Sequence, residues 1–210
     1  MFIEQPAKFL RWIYPSALWR MSDAERAVYL TFDDGPIPEV TPWVLDVLRR
    51  YDVKATFFMV GDNVRKHPDV YARVVAEGHR IGNHTYHHIG GLRHGSTTYL
   101  HEVDKANELL HTDLFRPPHG WMKTTQYHYV KKYYNVVMWD LVTRDYSTHL
   151  NGVDVLRGVM RYARPGSIIT FHDSLKSLDK LLYALPRAIA WLQSEGYAFK
   201  VFGPKVPDGQ

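Results

Sequence analysis

The sequence predicts an α/β fold, a parallel sheet with helical crossovers, closed as a (β/α) barrel or left open as a doubly wound sheet. Two observations carry this expectation. Short apolar runs and amphipathic stretches alternate about seven times without a linker, a low-complexity tract or a break in composition. Polar residues also recur directly after the apolar runs, where the carboxyl ends of parallel strands share one face. With 210 residues, 45% of them hydrophobic and 14% aromatic, the chain suits one domain over 1–210 with a sizeable core.

The first 26 residues are expected to form an aromatic arm packed on that domain. They mix Phe, Leu, Trp, Ile and Tyr with Glu4, Lys8, Arg11 and Arg20, and Pro6 and Pro15 interrupt any long helix. The apolar run 28–32 reads as the first strand and ends in Asp33-Asp34-Gly35-Pro36. Thr41-Pro42 is the expected cap of a helix through Arg50. Residues 55–60 form a second strand ended by Gly61, and a helix from Pro68 stops at Gly78. A third strand, 80–82, leads into Asn83-His84-Thr85-Tyr86-His87-His88. A helix over 98–111 precedes the strand 114–116, which runs into Pro117-Pro118-His119-Gly120. The second half repeats the rhythm: a helix over 124–134, a β-branched strand over 135–139 ending at Asp140, and a helix over 153–163. A strand over 167–171 then ends in His172-Asp173. The last helix, 179–195, contains Pro186, where a kink is expected, and a closing strand covers 198–202.

Composition excludes several functions. The net charge is +4 and the pI is near 9.1, but Lys and Arg are scattered and reach only pairs such as Arg49-Arg50, so no nucleic-acid partner is expected. No apolar run is long enough to span a bilayer, and the amino terminus does not resemble a signal peptide. The compartment stays open, cytoplasmic by default and compatible with a cell-envelope substrate. No protein partner is evident. With no cysteine in the chain, any metal must be held by His and carboxylate.

The polar strand ends therefore converge on one mouth. Adjacent residues leaving a strand point in different directions, so one of Asp33 and Asp34 can bind a metal while the other stays free as a base. His84 and His88, four apart, fall on the same side of a helical turn or tight loop, and with Asp34 they would leave coordination positions open for water and substrate. Arg116, held extended before two prolines, can form a fixed pair with a carboxylate. His172, at the end of an apolar strand, is suited to proton transfer near neutral pH.

Five ordered stretches resemble the motifs of the polysaccharide deacetylases, the NodB-like, family 4 carbohydrate esterases. They are Thr31-Phe32-Asp33-Asp34-Gly35-Pro36, His84-Thr85-Tyr86-His87-His88, Arg116-Pro117-Pro118-His119-Gly120, Trp139-Asp140 through Asp145-Tyr146, and Ile169-Thr170-Phe171-His172-Asp173. The resemblance covers about 27–202. It implies a distorted (β/α) barrel of about seven parallel strands and metal-dependent hydrolysis of acetyl groups, usually on N-acetylated amino sugars, at a carbon–nitrogen bond that is not a peptide bond. Position by position, it implies metal ligation by Asp34, His84 and His88, with zinc the expected ion and cobalt, manganese or nickel as alternatives. Asp33 becomes the general base toward the attacking water, Arg116 its orienting partner, His172 the acid for the leaving amine, and the backbone N–H of His119 an oxyanion donor.

Three departures from the family pattern stand out. His119 occupies a position usually held by Tyr or Phe. Ile89-Gly90-Gly91 replaces a segment that often begins with Pro. In the fourth motif, the usual Asp-Asp and Trp fall on Val142, Asp145 and Tyr146, so Asp145 is expected to orient His172, with Asp140 in reserve. Two other functions share these residues: an O-acetyl esterase or non-sugar amide hydrolase, and a catalytically silent sugar-binding module that retains metal. Keeping both Asp33 and His172 argues against the silent module.

Overall fold

The computed structural model of the chain describes residues 4–7 and 9–205. Met1 to Ile3 and Lys8, part of the expected arm, lie outside the described residues. A short helix, α1 (Leu10–Ile13), opens the described fold. The strands and helices then alternate: β1 (Ala27–Asp33), α2 (Thr41–Arg50), β2 (Thr56–Met59), α3 (Gly61–Lys66), α4 (Pro68–Ala76), β3 (Arg80–Asn83), α5 (Ser96–Leu110) and β4 (Leu114–Phe115). After these come α6 (Thr124–Tyr133), β5 (Asn135–Val136), β6 (Leu141–Val142), α7 (Gly152–Tyr162), β7 (Ile168–His172), α8 (Leu178–Ser194) and β8 (Ala198–Phe199).

All strand pairings are parallel and run in the order β5-β4-β3-β2-β1-β7-β6, with β8 against the start of β1. The seven strands of this path curl into an incomplete, distorted (β/α) barrel, which replaces the open doubly wound alternative. Its two ends, β5 and β6, adjoin the amino-terminal segment. Leu18 N–H donates to Val136 O and Met138 N–H to Leu18 O, while Met21 N–H donates to Gly166 O ahead of β7. Tyr14 and Trp19 of this segment are buried against Tyr99, Phe115 and Tyr127.

Strand alternation sends neighbouring residues to different cores. Phe32, Phe57 and Phe171 stack beneath α2 and α8 in the core that also holds Ile169, whereas Phe58 and Ile168, adjacent to Phe57 and Ile169 in their strands, join Leu114 and Val137 in another cluster. Burying both sides explains why these strands read as continuous apolar runs.

Four local expectations are corrected. Gly61 begins α3 rather than merely ending a strand. The strand expected over 135–139 is only β5, and a separate β6 follows it; two-residue strands are too short to leave a periodic signal. Thr41 does not cap α2, whose N-cap is Val40, because the Thr41 hydroxyl is bonded to Asp173 at 2.6 Å. Asp140 lies before β6, its N–H on Ile168 O at the amino end of β7, so it cannot be the reserve partner of His172.

Candidate active site

Register builds the site. Asp33 is paired with His172 across β1 and β7, and Asn83 with Phe115 across β3 and β4, which puts His84 beside Arg116. Each strand therefore delivers its polar residue at the same height, into a cavity of about 470 Å³. Asp33, Asp34, His84, His88, Arg116, His119 and His172 all line it, with Trp139, Val142 and Tyr146.

Asp34, His84 and His88 offer donor atoms that lie within 4.8 Å of one another. Asp34 Oδ1 is 3.2 Å from His88 Nε2 and 3.8 Å from His84 Nε2. His84 Nδ1 is 2.7 Å from Arg116 O, which makes Nδ1 the donor and leaves the Nε2 lone pair for a metal. Burial, against the pull of Asp33, lowers His84 to about 4, so the imidazole is neutral, as a ligand must be. At Asp34 burial works toward protonation, but the hydrogen bond from His88 and the neighbouring His172 and His84 outweigh it and hold the carboxyl well below its usual range. One carboxylate and two imidazoles on a partly open site fit a divalent metal.

Arg116, 1% exposed, donates from Nη1 to Asp33 Oδ1 at 2.6 Å and to Thr31 Oγ1 at 2.8 Å. Its Nε and Nη2 donate to Val137 O and Met138 O, and its guanidinium lies over the Phe58 ring. The guanidinium thus holds one carboxylate oxygen of Asp33 while Oδ2 takes no hydrogen bond from the described residues. On the other side, His172 Nδ1 is 2.8 Å from Asp145 Oδ1, and Asp145 Oδ2 accepts the His172 N–H. Burial opposes the imidazolium, but Asp145, with Asp33 and Asp34 behind it, lifts His172 to about 9. The Tyr146 ring sits edge-on to His172 with centroids 4.8 Å apart.

Of the seven non-glycine residues with positive φ among the described residues, Asp34, His88 and His119 line this cavity, and Thr85 and Arg144 directly adjoin His84 and Asp145 in the chain. Clustered left-handed residues mark segments that tertiary contacts over-determine, and they pre-set the site. Two departures from the family pattern meet here, since the His119 ring packs on Gly90, where a Cβ would stand 3.2 Å from it, and lies 4.9 Å from the His88 ring. Two supporting residues escaped the sequence reading. Asn63, from the unexpected α3, donates to Asp34 O at 2.8 Å. Asp173 was visible beside His172, but its partners are distant in sequence.

A carboxylate and two imidazoles, with Asp33 and His172 beside them at the carboxyl face of an incomplete barrel, define a class: α/β-barrel proteins whose site could hold a metal ion. The family model described as polysaccharide deacetylase matches residues 20–137, more than half of the sequence. The chain belongs to the polysaccharide deacetylase family, the family 4 carbohydrate esterases.

A peptidoglycan-N-acetylglucosamine deacetylase of Bacillus cereus is 32% identical over 190 residues, 86% of this chain and 88% of that protein. A chitooligosaccharide deacetylase of Rhizobium leguminosarum bv. trifolii is 34% identical over 195 residues, 84% of this chain and 90% of that protein. Among solved structures, a peptidoglycan N-acetylglucosamine deacetylase in complex with an N-oxidanyl-benzamide superposes with a TM-score of 0.87 at 30% identity, covering 94% of this chain and 95% of that one. The family also contains a pseudoenzyme from Bacillus anthracis, which superposes with a TM-score of 0.79 at 25% identity over 88% of this chain and 66% of that one. Membership therefore does not by itself assign turnover.

Proposed function

We propose that the chain is a metal-dependent hydrolase that removes acetyl groups from an N-acetylated amino sugar within a glycan. The observation that carries this reading is the strand register that sets Asp33 and His172 side by side, on the same cavity as Asp34, His84 and His88. A binding module needs neither a base nor an acid there.

Asp34, His84 and His88 would hold the ion, with zinc the expected metal. When bound, a divalent metal supplies Lewis acidity toward the acetyl carbonyl and toward water. The remaining steps belong to the chain's own groups. Asp33 Oδ2, free while Oδ1 is tied to Arg116, takes the proton of the attacking water. His119, in a left-handed turn at φ 61° on the cavity wall, offers its backbone N–H to the oxyanion as the carbonyl becomes tetrahedral. His172, protonated at neutral pH with Asp145 on Nδ1, gives its Nε2 proton to the departing amine. An amine leaves poorly unless protonated, so separate groups for base and acid suit this reaction.

Relatives named for peptidoglycan and chitooligosaccharide support the amino-sugar class. The test is acetate release by zinc-loaded protein from N-acetylglucosamine oligomers and from acetylated xylan. Release from the former and little from the latter is expected. Zinc-loaded protein that releases acetate from neither sinks the proposal, and preferential action on xylan moves it to the O-acetyl esters.

A further inference from the structure

Asp173 is almost wholly buried, at 1% exposure, and takes no part in the reaction described above. Burying a carboxylate is costly unless its oxygens are bonded, so its partners indicate why it is there. Its Oδ1 accepts the Gly35 N–H at 3.1 Å and its Oδ2 accepts the Thr41 hydroxyl at 2.6 Å. Thr41 Oγ1 in turn accepts the Ile37 N–H at 2.8 Å. The Asp173 N–H closes the circuit on Asp33 O at 3.0 Å. One side chain, directly after β7, thus secures the loop that leaves β1, behind Asp34, at both of its ends. Asp34 itself sits at φ 85°, a conformation that needs outside support. The fit is close: a Cβ at Gly35 would overlap the Asp173 carboxylate.

We propose that Asp173 is a positioning residue for the metal ligand Asp34, acting through the Gly35 N–H and the Thr41 hydroxyl to aim the Asp34 carboxylate at the two histidines. The proposal rests on the metal reading of Asp34, His84 and His88. Groups that orient a ligand without touching the ion commonly control affinity by ~10- to 100-fold. Asp173→Ala leaves the Gly35 N–H and the Thr41 hydroxyl without their acceptor. Asp173→Asn keeps an oxygen for Gly35 and presents an N–H to Thr41 Oγ1, so it preserves the geometry.

The experiment is zinc affinity by competition with a chelator, on full-length wild type, Asp173→Ala, Asp173→Asn and Thr41→Val, well below each melting temperature. Asp173→Ala is expected to bind zinc ~10- to 100-fold more weakly, Thr41→Val to fall between it and wild type, and Asp173→Asn to stay near wild type. A folded Asp173→Ala with wild-type affinity overturns the proposal, because a purely structural role would lower the melting temperature alone. So does an Asp173→Asn as weak as the alanine variant, since charge and not hydrogen-bond geometry would then be the agent. Should Asp173→Ala fail to fold, undiminished affinity in Thr41→Val overturns it instead. Wild type that binds no zinc would count against the metal reading itself, a result distinct from all of these.

Discussion

Two buried aspartates, each paired with an arginine, sit at opposite ends of the same barrel, and the pairs are built differently. At the amino end, Asp140 is fully buried and committed on both oxygens: Arg164 grips it with Nε and Nη2, and Ser167 donates a third hydrogen bond. Arg164 is itself 45% exposed. At the carboxyl end the arginine is the buried partner, and Asp33 gives Arg116 one oxygen while the other faces the cavity. A carboxylate with every acceptor satisfied can only hold structure, whereas one oriented through a single oxygen retains the means to take a proton. Residue type does not separate the two pairs; the number of unspent acceptors does.

The comparison breaks first at Asp33. Asp33→Asn keeps a hydrogen bond to Arg116 but loses the proposed base, so acetate release should fall by ~10²–10⁴-fold with zinc content unchanged. Persisting activity would show that the open oxygen is not the base.

A pH profile sharpens the comparison. His172 must be protonated to act as the proposed acid, and a group lifted to about 9 loses that proton as pH rises, so activity should decline on an alkaline limb. A cation on Asp34 offsets that residue's share of the lift and draws the limb below this value. Asp145→Asn removes the largest raising influence and should move the limb to lower pH; a limb that stays in place would exclude the Asp145–His172 pair from catalysis. The same raised value adds stability that is fully present below about 6.5 and fades as pH climbs toward 9.

The smallest effect on turnover belongs to the closed pair. Asp140→Ala should lower the unfolding free energy by ~1–3 kcal/mol, because Arg164 can turn to water while buried Ser167 cannot. Its kcat should be unchanged at temperatures below the transition. Urea unfolding alongside acetate release checks both, and a large loss of kcat without a loss of stability would place Asp140 in the chemistry after all.

Most of the fold was legible because the strands are buried on both sides and the helices on one. Continuous apolar runs such as 28–32 and 167–171 and helical spacing such as 41–50 leave strong one-dimensional signals. The elements that escaped are short. β6 has two residues, and α3 begins at a glycine that reads as a breaker. The site was legible where a polar residue interrupts an apolar run, as at Asp33 and His172. It was illegible where the partner lies far along the chain: Asn63 on Asp34, Asp173 on Thr41, and the His119 ring on Gly90.

The linear chain by itself determined the alternation of strand and helix, and with it the face on which Asp33, Asp34, His84, Arg116 and His172 gather. Strand ends in a parallel sheet have no other place to go. Only the tertiary structure decided what each carboxylate does. Asp140 and Asp145 are five residues apart and look alike in sequence, but β6 runs between them and carries them to opposite ends of the barrel. There one meets Arg164 and the other His172. A carboxylate's role depends on which donors surround it and which acceptor stays free, and packing between distant strands sets both.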